Sequence, residues 1–128
     1  CPAQARLPEL SFTCLEREGM LMVDWGESFR ILSDGRGLEA PEVWAMAVHQ
    51  AISQAALDMV KYGLSKTSTR TVLLSGGVFM NQILSGLCLE GLQSMGVKSL
   101  IHRNIPPNDG GVAVGQAYVG GFLINKEG

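Results

Sequence analysis

The stretch that most constrains this chain is Thr71-Val-Leu-Leu-Ser-Gly-Gly-Val-Phe-Met-Asn81. Val72, Leu73 and Leu74 form an apolar run of strand length, and Gly76-Gly77 ends it. From Val78 the spacing turns helical, with Ile83, Leu84, Leu87 and Leu92 on one stripe. A strand that passes through glycines into a helix aims free backbone N–H groups at whatever lies above the turn. Unpaired donors and the positive end of the helix dipole suit a phosphate there. A βα corner without a ligand explains the same pattern, because two adjacent glycines are a weak phosphate signal. Both readings stand at this point.

The rest of the chain supplies a frame for that corner. Residues 1–9, with Pro2 and Pro8, read as a linker or poorly ordered lead-in. Two β-like runs follow, Leu10–Leu15 and Met20–Trp25, joined by Glu16-Arg-Glu-Gly19 as a hairpin. Gly26–Leu32 reads as a short helix closed by Ser33-Asp-Gly-Arg-Gly37. Pro41 opens the longest helix, where its missing N–H costs nothing. Trp44, Val48, Ala51, Ile52, Ala55, Met59 and Val60 form its apolar face, and Gly63 is the expected stop. Lys66–Arg70 is a polar connection into the strand at Val72, and the helix after that strand ends near Gly96. Lys98–His102 is a further strand, and Asn104-Ile-Pro-Pro-Asn-Asp109 is a loop because consecutive prolines bar helix and inner strand. From Gly110 the chain becomes a helix dense in small residues. Each helical glycine costs about 1 kcal/mol, so close packing on the sheet or on a ligand is needed to compensate.

The order β-β-α-α-β-α-β-α predicts an α/β fold with a parallel segment covered by helices. Ligands in such folds sit beyond the carboxyl ends of the strands. Ser75–Gly77 and Asp109–Gly111 both fall there and are expected to face one cleft.

Composition narrows the partners. Among 128 residues the formal charge is −2 and the basic residues are scattered, which argues against nucleic acid and anionic membrane surfaces. The apolar run from Ala117 to Ile124 is broken by Gly120-Gly121 and is short of the roughly 20 residues of a membrane span. No signal peptide is evident. Cys1, Cys14 and Cys88 share no metal-ligand spacing. Cys14 and Cys88 read as buried small hydrophobes in a reducing, cytoplasmic setting. The chain begins at Cys1 without an initiator Met and reads as a piece of something longer.

Asp109 is the residue with most chemical potential. As an N-cap it accepts bonds from orphan N–H groups at a helix start, worth about 1 kcal/mol. As a carboxylate at the strand ends it can hold a metal ion over a phosphate. Asn81, placed one turn into its helix, can bond a ribose, a base edge or a neighbouring loop. Ser75 lies in L-S-G-G rather than G-x-S-x-G, and only His49 and His102 could serve it as a base. His49 reads as a satisfied histidine beside the apolar stripe and His102 as a loop anchor, so a serine hydrolase is rejected. Asp24 reads as the cap of the short helix, and Asp34 as ordinary turn chemistry.

Leu74-Ser-Gly-Gly-Val-Phe-Met-Asn81, followed by Pro106-Pro-Asn-Asp-Gly-Gly-Val-Ala-Val-Gly-Gln-Ala117, resembles the C-terminal region of the HypF hydrogenase-maturation carbamoyltransferases. That region is grouped with Kae1/TsaD threonylcarbamoyltransferases and antibiotic O-carbamoyltransferases. The resemblance runs from about Met22 to Gly121. It implies a lobe of ribonuclease-H/actin-like (ASKHA) topology over residues 10–128, with a mixed sheet and helices on both faces. It also implies transfer of a carbamoyl group from carbamoyl adenylate, made with ATP, to the C-terminal cysteine of a HypE-type acceptor. That thiocarbamate becomes the cyanide ligand of [NiFe] hydrogenase. Ser75, Gly76, Gly77 and Asn81 match the family's nucleotide-binding segment, Asp109 its metal-ligating aspartate, and Gly110-Gly111 the turn beside the nucleotide.

Departures are Met80, where a polar residue such as Gln is usual, and Val48 before His49, where an aromatic is usual. The H-H-x-A-H metal motif of the preceding lobe is absent, as are acylphosphatase-like, zinc-finger and YrdC-like parts. The chain is therefore expected to need the preceding lobe and domains of its own protein, and to turn over nothing alone. A threonylcarbamoyl-transfer protein, a sugar-kinase-like ATPase and a non-catalytic nucleotide-binding or assembly module are the alternatives, and P-P-N-D-G-G favours HypF.

Overall fold

The computed structural model describes residues 8–35 and 40–124. Most of the expected lead-in, residues 1–7, the end of the Ser33–Gly37 turn and residues 125–128 lie outside the described residues. The elements run β1 (Thr13–Arg17), β2 (Met20–Asp24), α1 (Gly26–Ser33), α2 (Pro41–Lys66), β3 (Thr71–Leu74), α3 (Gln82–Ser94), β4 (Lys98–Ile101) and α4 (Val112–Ile124). Short 3₁₀ turns, Gly77–Met80 and Asp109–Gly111, precede α3 and α4. The succession of strands and helices is the one the sequence predicts.

The sheet is not. Among the described residues β1 and β2 pair antiparallel, β3 and β4 pair parallel, and the two pairs form separate sheets rather than one mixed sheet. The hairpin is also tighter than expected. Arg17 pairs with Met20, which leaves Glu18-Gly19 as a two-residue turn with φ of 52° and 78°. Positive φ at both central residues is what matches a turn to the twist of the strands it joins, so the ladder gains pairs that a four-residue turn would forgo.

α2 does not stop at Gly63 but runs on to Lys66. Its last turn is tied to the hairpin. The Tyr62 hydroxyl donates to Glu16 Oε1 at 2.6 Å, Gly19 O lies 3.1 Å away, and Lys66 Nζ reaches Glu16 at 3.4 Å. Those contacts and a cation at the helix C-terminus offset the single helical glycine.

The core forms where α2 and α3 meet and cover β3 and β4. Leu84, Cys88 and Leu92 recur every four residues on α3 and join Leu74 and Val97 in the buried cluster. Leu92 is fully inaccessible. Ile83, expected on that stripe, faces out, and its neighbour by spacing, Cys88, takes the inner place. On α2 the most buried residues are Ala47, Ala51, Ser53 and Ala55, and Ala56, Leu57, Val60 and Leu64 pack against the core cluster, while Ile52 and Met59 of the expected face stay exposed. Small residues let two helices approach closely, and a Cβ added at Gly91 of α3 would overlap Leu57 of α2. Cys14, read as buried, is exposed on β1. All five residues of β1 are exposed; α2 reaches the strand through Tyr62 and Lys66 at Glu16 and buries none of it.

α3 ends in a Schellman motif. Gly96 adopts φ 67°, its N–H bonds Gln93 O, and Val97 N–H bonds Leu92 O, both at 3.0 Å. α4 departs most from expectation. None of its residues is buried, and nothing crowds Gly115, Gly120 or Gly121. The close packing that so many small residues predict is absent among the described residues, none of which buries a residue of this helix.

Candidate functional site

The parallel pair sets the site. Register Leu74↔Ile101 brings the carboxyl ends of β3 and β4 side by side, so Ser75–Gly77 and the loop after His102 leave the sheet together. Gly76, at φ 100°, takes a backbone that side chains rarely adopt and donates its N–H to Pro107 O at 3.0 Å. That bond joins the two loops. Asn108 completes the junction. Its Oδ1 accepts from Gly110 N at 3.1 Å, its Nδ2 donates to Met80 Sδ at 3.1 Å, and a Cβ on Gly77 would sit 3.6 Å from its own Cβ. The two glycine turns are therefore in contact.

Gly111 is needed sterically, because a Cβ there would come within 2.6 Å of the Pro106 carbonyl oxygen. Gly110 is nearly as tight, with Asn108 Oδ1 at 3.1 Å from such a Cβ. Gly77 N–H and Val78 N–H, at the start of the first 3₁₀ turn, have no hydrogen-bond acceptor among the described residues.

Two expectations change. The helix does not begin at Val78: a 3₁₀ turn comes first, and Asn81 is the N-cap of α3, with Oδ1 accepting from Leu84 N at 3.1 Å. Asn81 also donates from Nδ2 to His49 Nε2 at 2.8 Å, and His49 Nδ1 lies 2.6 Å from Ala45 O. His49 is thus a satisfied histidine, as expected, and it holds Asn81 from α2. One hydrogen on Nδ2 and one lone pair on Oδ1 stay open to a ligand.

The second change concerns Asp109. Asp109 is not a cap but the first residue of the 3₁₀ turn ahead of α4, and the cap of that turn is Asn108. With Asn108 in that role, the exposed Asp109 carboxylate makes no hydrogen bond or ion pair among the described residues. The capping explanation for an aspartate at this position is removed. Asp24, one residue ahead of the N-cap Trp25, accepts from Gly26 N, the first N–H of α1, at 2.9 Å.

Asn108 is the residue that sequence reasoning passed over, and His102, read there as a loop anchor, instead meets Ser75. The signal for Asn108 was present, since Asn ranks with Asp as a cap and precedes it here. His102 Nε2 lies 2.9 Å from Ser75 Oγ, across the mouth of the parallel pair. Only the register of β3 on β4 brings them together.

A metal is not accommodated by these residues alone. No group of three His, Cys, Asp or Glu side chains converges among the described residues. One carboxylate is far from the about six oxygen ligands of a hard divalent cation. Nor is any described helix long and apolar enough to cross a membrane.

Fold and site together define an α/β subdomain whose two glycine turns meet at the carboxyl ends of a parallel strand pair. Residues 3–116 match the family model described as carbamoyltransferase, Kae1-like domain, second subdomain. The chain is 45% identical over 53 residues to the carbamoyltransferase HypF2 of Cupriavidus necator, covering 41% of this chain and 7% of that protein. It is 33% identical over 91 residues to a carbamoyltransferase HypF homolog of the same organism, covering 71% and 23%. With the carbamoyltransferase HypF of Rhizobium leguminosarum bv. viciae it is 32% identical over 91 residues, covering 70% and 12%. The crystal structure of full-length HypF in its phosphate- and nucleotide-bound form shares the fold, with a TM-score of 0.77 at 22% identity, over 93% of this chain and 16% of that one.

The chain belongs to the HypF carbamoyltransferase family and corresponds to the second subdomain of its Kae1-like domain. It spans between 7% and 23% of the length of these curated relatives.

Proposed function

We propose that this chain is one lobe of a cytoplasmic carbamoyltransferase that moves a carbamoyl group from carbamoyl adenylate to the C-terminal cysteine of a HypE-type acceptor, for [NiFe] hydrogenase cyanide synthesis. The observation that carries the reading is the junction of the two glycine turns through Gly76 N–H, Pro107 O and Asn108. Membership in a carbamoyltransferase family supplies the reaction class. The lobe is read as ribonuclease-H/actin-like, and its ligand as ATP or carbamoyl adenylate.

In this reading Gly77 N–H and Val78 N–H donate to an adenylate phosphate oxygen, with Gly76 holding them at the angle its positive φ sets. Gly110 and Gly111 keep the second turn low enough for the nucleotide to pass. Asn81 offers its open amide hydrogen and lone pair to the nucleoside and is kept in place by His49. Asp109 offers one oxygen to a divalent metal whose other ligands come from the preceding lobe. Rate acceleration rests on positioning and on charge stabilisation at the carbamoyl carbon, with the partner's thiolate as nucleophile. The bare apolar surface of α4 supports a cleft completed by that preceding lobe.

Calorimetric titration with ATP and Mg²⁺ separates the possibilities. The full-length protein is expected to bind stoichiometrically and this chain alone only weakly; tight binding by the chain alone would refute the two-lobe cleft. Asp109→Ala in the full-length protein is expected to abolish carbamoyl transfer with its melting temperature unchanged. A variant that transfers normally would leave a nucleotide-binding or assembly module as the better reading.

A further inference from the structure

Two histidines border the glycine turns, and their hydrogen bonds differ in kind. His49 has both nitrogens assigned. Ala45 O can only accept, so Nδ1 carries the hydrogen, and Nε2 accepts from the Asn81 amide, whose Oδ1 is already taken by Leu84 N–H. No proton in that chain can change place without breaking a bond.

His102 is bonded differently. Nε2 faces the Ser75 hydroxyl at 2.9 Å, and Nδ1 has no partner among the described residues. A hydroxyl both donates and accepts, so the pair has two complete arrangements. With Nε2 bare, Ser75 gives its hydrogen to the ring and shows a ligand only lone pairs. With a hydrogen on Nε2, in the neutral tautomer or the imidazolium, the ring donates to Ser75 Oγ, and the hydroxyl hydrogen is free to turn outward. The first state suits a donor on the ligand and the second an anionic oxygen.

We propose that Ser75 and His102 form an anion-reading pair, in which a phosphate oxygen arriving at the Ser75–Gly77 turn selects the protonated ring and the outward-donating hydroxyl. The phosphate charge favours the imidazolium over the neutral Nε2–H tautomer, so nucleotide binding draws a proton from solvent onto Nδ1 of the ring. The proposal rests on the reading that an adenylate phosphate occupies this turn. His102 is a positioning residue that acts through Ser75.

The surroundings leave His102 as the group that switches. Its ring lines a small cavity of about 90 Å³ with Leu74, Phe79, Ser85, Leu89, Ile101 and Pro107, none of which titrates near neutrality. On its own loop the charged neighbours are Arg103 and Asp109. Imidazole is the side chain whose charge changes between about pH 5 and 8.

The test uses the full-length protein and adenosine 5′-methylphosphate, a nucleotide monoanion that does not itself titrate in this range. Affinity is expected to be about fivefold tighter near pH 6 than near pH 8, with proton uptake seen as a dependence of binding heat on buffer ionisation enthalpy. His102→Gln keeps a hydrogen-bonding side chain and is expected to flatten the profile. Ser75→Ala, an exposed substitution that keeps the fold, is expected to flatten it too. A flat wild-type profile overturns the proposal, as does a slope that survives in either variant. Failure of the wild-type protein to bind either this ester or ATP would instead overturn the phosphate reading beneath it.

Discussion

α3 and α4 begin alike and end in opposite environments. Each has 13 residues and each follows a glycine-bearing 3₁₀ turn; Asn81 caps α3 itself through Leu84 N, whereas Asn108 caps the 3₁₀ turn ahead of α4 through Gly110 N. α3 then buries Leu84, Cys88 and Leu92, whereas Tyr118 and Ile124 of α4 are 78% and 75% exposed. The distribution of apolar residues accounts for the difference. On α3 they favour one stripe, which closes against α2 and the parallel strands. On α4 they occupy every side, so no single neighbour could cover them, as in helices made to be enclosed. Turn chemistry therefore decides where a helix starts, and the surroundings decide whether it is finished.

The contrast can be tested by unequal mutations. Leu92→Ala on α3 is expected to cost about 2–5 kcal/mol, read from denaturant unfolding of this chain, because a cavity is left in the only buried cluster among the described residues. A loss under about 1 kcal/mol would mean that α3 is no better packed than α4. Asn81→Ala should cost about 1 kcal/mol or slightly more, since it removes the cap and the bond to His49. Asn108→Ala should cost less in stability than Asn81→Ala and more in nucleotide affinity, by parting the two turns.

Tyr118→Ser on α4 should stay within about 0.5 kcal/mol in this chain yet destabilise the full-length protein measurably. Equal effects in both settings would remove the argument that α4 awaits a covering lobe.

The smallest effect concerns the clamp between the hairpin and α2. The Tyr62 hydroxyl, and then the Lys66 ammonium, hold the Glu16 carboxyl below its ordinary value. A lowered carboxylate stabilises the fold above its unfolded value, and that contribution fades as pH falls through the lower folded one. The hydrogen bond to Glu16 raises Tyr62, and the Glu16 charge raises Lys66, so their contributions are complete below the ordinary values and fade as pH rises through the raised ones. Glu16 and Lys66 are exposed and Tyr62 is half-buried at the surface, so solvent screens the cluster, and Tyr62→Phe should produce only a slight loss of melting temperature near pH 7, vanishing under strongly acid conditions.

Much of this molecule was legible in its sequence, and what was not has identifiable causes. The succession of elements, the strand at Val72, the glycine turn and the Pro41 start follow from local chemistry and were visible. The end of α2 was not, because Gly63 is outweighed by Tyr62 and Lys66 reaching a hairpin more than forty positions away in sequence. The Ser75–His102 pair was hidden for a similar reason, since strand register is a tertiary fact. Asp109 was partly legible: its position was right, but the cap belongs to Asn108. The separate sheets and uncovered α4 reflect surroundings that no local pattern encodes.

The parallel register also says something about time. Thr71 pairs with Lys98, so β3 cannot meet β4 until α3 has been wound and folded back between them. The hairpin needs only the Glu18-Gly19 turn. Loop closure of that longer segment costs entropy before any contact rewards it, and non-local pairings form late. Pulsed hydrogen exchange during refolding should protect β1 and β2 amides before those of β3 and β4; simultaneous protection would contradict this order. The Ser75–Gly77 and Asn108–Gly111 turns hang on the ends of the late pair, so the ligand-facing edge is among the last parts of the chain to acquire its shape.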